Sequence, residues 1–170
     1  MNRLYTRDEY LARIELLKTA KRPYSITTDI IVGFPGETEE DFQQTLDLLD
    51  RVQYDALFSF KYSPRPNTAA LAMPDAVPDE EKQRRLAIVQ EKQRGIQIRR
   101  NAERIGAVQE VLVEGRNQAL GQWIGRTTDN HILNFTHSDP AAENLLGRYL
   151  AVRVTRSGPN SLVGESASVV

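Results

Sequence analysis

Two hydrophobic periods run through the chain, and the place where one gives way to the other divides it. In the first part apolar residues recur three and four apart: Tyr10, Leu11, Ile14 and Leu17, then Phe42, Leu46 and Leu49, then Leu86, Val89 and Ile96. That spacing puts each set on one face of a helix. Thr6-Arg7-Asp8-Glu9 reads as a capping box opening the first helix, which is expected to stop near Lys21-Arg22-Pro23. The second helix is expected over 39–52, with Thr38 as its cap and acids in its first turn. The third starts at Pro78 with acids behind it and runs to about Arg104.

Between these helices the pattern is continuous rather than periodic. Ile30-Ile31-Val32 ends a strand expected from Tyr24, and such a β-branched run suits a strand covered on both faces. A second strand is expected over 56–62. Helix, strand, helix, strand is a βαβ unit with a preceding helix, and it reads as part of a larger α/β sheet. From Ile105 onward the period shortens to two. Short strands are expected over 108–113, 122–127, 131–135, 149–154 and 161–165, and five of them in about sixty residues suggest a small closed barrel of the OB-like kind. The division expected is therefore 1–77, a connecting helix 78–104, and a barrel 105–170.

Chemistry gathers where strands end. Gly33 and Gly36 bracket Phe34-Pro35, so the chain turns sharply after the first strand. This stretch reads either as a well-made turn or as the edge of a ligand site, since parallel α/β proteins bind ligands outside the carboxyl ends of their strands. After the second strand, Ser63-Pro64-Arg65-Pro66 is a stiff loop; Arg65 is either a solvated charge or a clamp for carboxylate or phosphate. Arg99, Arg100 and Arg104 match the helix dipole on a solvated face, with RNA phosphate as the other reading. In the barrel, Trp123, Arg126, His131, Phe135, Tyr149 and Arg153 are types that stack on bases or hold phosphate, although core packing also accounts for Trp123 and Phe135.

Composition narrows this further. With 22 basic and 23 acidic residues the net charge is −1, so no overall field calls for nucleic acid, and residues 105–170 carry five arginines, no lysine and six acids. Mean hydropathy is −0.47, no run is long enough to span a membrane, and no signal-peptide core opens the chain; a cytoplasmic location is the default. There is no cysteine, which removes disulfides and thiolate ligation of iron–sulfur clusters. Two histidines are too few for a histidine-rich metal site.

Asp29-Ile30-Ile31-Val32-Gly33-Phe34-Pro35-Gly36-Glu37-Thr38-Glu39-Glu40-Asp41-Phe42, then Phe60-Lys61-Tyr62-Ser63-Pro64-Arg65-Pro66, then the five-stranded tail with Asn160-Ser161-Leu162-Val163-Gly164-Glu165, resemble the radical-SAM methylthiotransferases. The resemblance extends over nearly the whole chain, including Met1-Asn2-Arg3-Leu4-Tyr5-Thr6. It implies terminal βα units of a partial TIM-type radical-SAM barrel followed by a TRAM barrel. It also implies S-adenosylmethionine and two 4Fe-4S clusters in the full-length enzyme, and methylthiolation of C2 of isopentenyladenosine beside the anticodon. The six cluster cysteines of such enzymes have no counterpart here, so the resemblance implies a C-terminal part, inactive without the N-terminal part of the same enzyme. Asp29, Gly33, Phe34, Pro35, Gly36, Glu37, Ser63 and Arg65 become candidates for shaping the cofactor pocket. Trp123, Arg126, His131, Tyr149 and Arg153 become candidates for a tRNA anticodon stem-loop, with no membrane partner. Asn67 stands where the family usually has glycine. The Ser-Pro-Arg-Pro loop leans toward the tRNA enzyme over its sibling acting on a ribosomal-protein aspartate; a stand-alone, non-catalytic RNA-binding module is the other alternative.

Overall fold

The computed structural model describes residues 4–21, 24–74, 76–137 and 144–166. The opening residues 1–3 and the expected helix stop at Arg22 and Pro23 lie outside them. The elements are α1 (Arg7–Lys18), β1 (Thr27–Val32), α2 (Glu39–Val52), β2 (Ala56–Lys61), a short 3-10 turn (Ala69–Ala72), α3 (Asp79–Ala102), and the strands β3 (Val108–Asn117), β4 (Gln122–Thr127), β5 (Ile132–Thr136), β6 (Tyr149–Ser157) and β7 (Leu162–Ser166). They form two compact units, the first reaching to Ile96 within α3 and the second running from Gln97. No described helix is long and apolar enough to cross a membrane.

In the first unit α1 and α2 open with the capping boxes their sequences contain, Thr6 with Glu9 and Thr38 with Asp41. Ile14, Val32, Phe42, Leu49, Val52, Tyr54, Val89 and Ile96 make one core. The apolar stripe of α1 is narrower than its spacing suggests, because Ile14 is buried while Leu17 is exposed. β1 and β2 pair in parallel, with Ile31 opposite Phe60 and Asp29 opposite Phe58. Only one face of this sheet is covered. Val32 is buried, yet Ile31 is 37% exposed, Phe60 51% and Phe58 64%, which corrects the expectation of a strand covered on both sides. A two-stranded sheet has one layer of helices to lie against, so alternate residues of each strand stay bare.

The second unit is a closed barrel in the order β3-β4-β5-β7-β6, parallel only between β5 and β7. Val111, Val113, Trp123, Leu133, Phe135, Leu145, Val152, Val154 and Leu162 fill it. Closure depends on two inward-facing glycines. A Cβ on Gly164 would collide with the Arg153 carbonyl, and one on Gly125 with the Leu112 carbonyl and Val111. Backbone cannot yield as a flexible side chain does. Gly164→Ala is therefore expected to lower barrel stability by about 1–3 kcal/mol, read as a lower urea midpoint in Trp123 fluorescence; an unchanged midpoint would show that the strands separate at little cost.

Candidate functional site

The loop after β1 is built around one carboxylate. Glu37 Oε2 accepts from the Gly33 amide at 3.0 Å, and its own amide donates to the Phe34 carbonyl at 2.9 Å. Gly33 and Gly36 have φ of 71° and 80°, which side-chain-bearing residues rarely adopt. A side chain at Gly33 would also strike Lys82. From α3, Arg85 Nη1 donates to Glu37 Oε1 at 2.7 Å and to the Glu37 carbonyl at 3.1 Å, while its Nε reaches Glu81 Oε1 at 2.8 Å. Hydrogen bonds from Arg84 and Arg85 hold the Glu81 carboxyl down at about 2. Glu37 is thus the strut of the turn, its two oxygens committed to backbone amide and guanidinium.

Beside this loop, at the carboxyl ends of β1 and β2, lies a cavity of about 830 Å³. Ile31, Phe34, Phe60 and Tyr62 make its apolar wall, and Ser63 and Arg65 its polar edge, closed by Thr68, Ala69, Ala70 and Met73. Phe34 meets Tyr62 edge to face at 5.1 Å. The Tyr62 hydroxyl is buried without a hydrogen-bond partner, and no described residue bonds the Arg65 guanidinium. Thr68 Oγ1 donates to the Arg65 carbonyl at 2.8 Å, and Asn67 takes φ 62°. Asparagine tolerates that left-handed conformation, so the turn survives the exchange of the usual glycine.

Of the candidates for a cofactor pocket, the structure brings Phe34, Ser63 and Arg65 together on the cavity. Gly33, Pro35, Gly36 and Glu37 form the turn behind it. Asp29 lines a different hollow, with Tyr5, Arg7, Tyr10 and Tyr54. The sequence reading missed Ile31, Phe60, Tyr62 and Met73; the alternation of Phe58, Phe60 and Tyr62 leading into Ser63 was the available signal.

In the barrel, register sorts the RNA candidates. Arg126 of β4 pairs with Leu112 of β3, and Leu112 with Tyr149 of β6, so these three side chains form one row on the outer surface. Arg153 sits on the same outer face opposite Val108, its Nη1 donating to the Gly106 carbonyl at 3.0 Å. Tyr149 is 64% exposed. Trp123 is not on that surface. It points inward with Gly125 and Thr127, 5% exposed, with the Arg116 guanidinium 5.1 Å from its ring. His131 is likewise turned in, its Nδ1 3.4 Å from Asp129. Alternation along β4 puts Trp123 on the opposite face from Arg126, so neither it nor His131 offers a free ring for stacking.

Asp129 itself escaped the sequence reading. Its side chain is 1% exposed, and it accepts from Thr127 Oγ1 at 2.6 Å and pairs with Arg104 Nη1 at 2.7 Å. Burial pushes the Asp129 carboxyl up, but hydrogen bonds from His131 and Thr127 and the Arg104 charge outweigh it and hold the group well below the usual carboxylate range. Asn101 Nδ2, on the last turn of α3, donates to the Gly158 carbonyl at 2.8 Å. Arg104, read from the sequence as a solvated or RNA-facing charge, is therefore an internal tie between the end of α3 and the β4–β5 turn.

Residues 1–49 match the Radical SAM superfamily, and residues 102–166 match the TRAM domain. The tRNA-2-methylthio-N(6)-dimethylallyladenosine synthase of Solibacter usitatus (strain Ellin6076) is 76% identical over 170 residues, which is 100% of this chain and 38% of that protein. The protein of the same name from Koribacter versatilis (strain Ellin345) is 56% identical over 166 residues, covering 97% of this chain and 37% of its own length. That of Aquifex aeolicus (strain VF5) is 45% identical over 170 residues, 100% of this chain and 37% of that protein. The chain thus spans 38% or less of the length of these curated relatives. It carries a radical-SAM segment followed by a TRAM domain, and along its full length it is similar to tRNA-2-methylthio-N(6)-dimethylallyladenosine synthases.

Proposed function

We propose that these residues serve a methylthiotransferase that modifies C2 of isopentenyladenosine next to the anticodon, the first unit lining part of the S-adenosylmethionine pocket and the barrel holding tRNA. The observation that carries this reading is the cavity at the carboxyl ends of β1 and β2, where Phe34, Ser63 and Arg65 converge with Phe60 and Tyr62. An aromatic wall suits an adenine ring, and an unpartnered guanidinium at the edge suits a carboxylate. The orphaned Tyr62 hydroxyl is a further polar group for a bound molecule to satisfy. S-adenosylmethionine supplies such an enzyme with its radical and its methyl group; the residues here would hold it and keep water out. Iron–sulfur clusters do not fit this chain, since it has no cysteine and the described residues bring no three His, Cys, Asp or Glu together.

The test is the complete gene product that includes these residues, with clusters loaded, incubated with tRNA carrying isopentenyladenosine. Mass spectrometry of its nucleosides should show the 2-methylthio product. No product from a loaded enzyme would end this reading, and modification of a ribosomal-protein aspartate would replace it with the sibling activity.

For the barrel, the outer row supports contact with RNA. Arg126→Ala is expected to weaken anticodon stem-loop binding by this chain, with a salt dependence shallower by roughly 0.7 to 0.9 in log–log slope for the lost phosphate contact, and to leave the Trp123 unfolding transition in place. Unchanged affinity would put the RNA on another part of the barrel.

A further inference from the structure

The outer arginine of the proposed RNA face already has a carboxylate on it. Arg126 Nε donates to Glu114 Oε2 at 3.1 Å, and its Nη1 donates to Asn130 Oδ1 at 3.1 Å. Both partners are placed by the backbone. The β3–β4 register shifts between Val113 and Gly115, so Glu114 is the extra residue of a bulge, a device that re-aims a side chain. Asn130 has φ 69°, the left-handed conformation that turns its amide back toward β4. No described residue bonds Arg126 Nη2. Arg126 and Glu114 are 41% and 42% exposed, so this pair forms and breaks in contact with water.

A carboxylate and a phosphate compete for the same guanidinium, because each presents negatively charged oxygens to its planar fork of N–H donors. The competition matters here because residues 105–170 have five arginines and no lysine, which leaves few other cations to hold a phosphate backbone. Tyr149 lies in the same row two strands away, at roughly 10 Å by strand spacing, close enough for one oligonucleotide to stack on it while reaching Arg126.

We propose that Glu114 is a built-in stand-in for phosphate on Arg126: RNA binds this face by displacing the Glu114 carboxylate, and Glu114 thereby sets how weakly the barrel holds RNA. The inference rests on the RNA reading of the barrel and goes beyond it in sign, because it assigns an acidic residue of the binding face the job of opposing binding. A grip lowered in this way releases a modified RNA sooner, since affinity differences within one interface reside mainly in the off-rate.

The experiment is a double-mutant cycle on the 170-residue chain, with Glu114→Gln, Arg126→Ala and the pair, titrated against an anticodon stem-loop at fixed salt; Trp123 fluorescence verifies that each variant is folded. Glu114→Gln keeps the shape and removes the charge. Tightening by about three- to fivefold is expected, the scale of one exposed ion pair, and it should shrink to less than half when Arg126 is already alanine. Equal tightening in both backgrounds would reduce Glu114 to a generally repulsive charge, and weakening would make it a support that positions Arg126; either overturns the proposal. If no variant binds and the wild-type chain does not bind, the RNA reading of the barrel falls and this inference with it. Binding by the wild type that Glu114→Gln leaves unmoved sinks the inference alone.

Discussion

Replacing Asp129 with alanine is expected to remove about 3–5 kcal/mol from the barrel, the usual cost of stranding one member of a buried charge pair. Against a typical total of about 5–15 kcal/mol, that brings the barrel close to unfolding. Arg104, 16% exposed, loses the carboxylate it meets at 2.7 Å, and Thr127 Oγ1 loses the acceptor it meets at 2.6 Å. The readout is selective, because Trp123 is the sole tryptophan and sits in the barrel core. Its fluorescence midpoint in urea should fall sharply. The same group fixes a pH dependence. A carboxyl held down in the folded state stabilises fully above its unfolded pKa, about 3.9, and loses that contribution as pH falls toward the folded value. Barrel stability should therefore drop on acidification below about pH 4, and Asp129→Asn should show a lower but flatter profile. A wild-type midpoint indifferent to acid, or an alanine variant as stable as the parent, would remove Asp129 from its assigned place.

Arg85→Ala is expected to have the second largest effect, about 3 kcal/mol, and to act on the first unit. Arg85 is 6% exposed and joins Glu37 to Glu81, while its guanidinium lies 5.3 Å from the centre of the Phe42 ring. Removing it leaves Glu37 buried with only backbone amides for company. Circular dichroism of α1 and α2 should show a lower melting temperature while the Trp123 transition keeps its midpoint. Exchange of the Gly33 amide should quicken, because the carboxylate that accepts it at 3.0 Å is no longer anchored. Arg85→Lys should recover less than half of the loss, since one ammonium cannot span both carboxylates as the fork does. Normal stability with a slow Gly33 amide would show that the turn holds itself.

How much of this could be read without coordinates follows from the range of each interaction. α2 begins and ends where its pattern put it, 39–52, because Thr38, the acids behind it and Phe42, Leu46 and Leu49 are all local signals. The five barrel strands were legible through their alternation, and β6 shows it plainly, with Val152 and Val154 buried and Tyr149 and Arg153 exposed. The 3-10 turn at Ala69–Ala72 had no periodic signal, yet it closes the cavity. Long-range pairs were invisible. Arg85 is one of several charges along α3, and nothing near it in the sequence names Glu37, 48 residues away, as its partner. Asp129 stands in the polar run Thr127-Thr128-Asp129-Asn130, and only folding brings Arg104 beside it. Trp123 and Arg126 looked alike as RNA candidates, and only their opposite parity on β4 separates an interior ring from a surface charge.

The bulge in β3 separates the pairing of the strand from the chemistry on its surface. Glu114 is the one residue between Val111 and Arg116 without a partner on β4. Loss of that single codon would restore unbroken alternation with Gly115 still opposite Ile124 and Arg116 still opposite Trp123, so the guanidinium at the indole would stay and only the carboxylate over Arg126 would go. This strand can therefore lose its outward carboxylate by deletion without disturbing the pairing that closes the barrel.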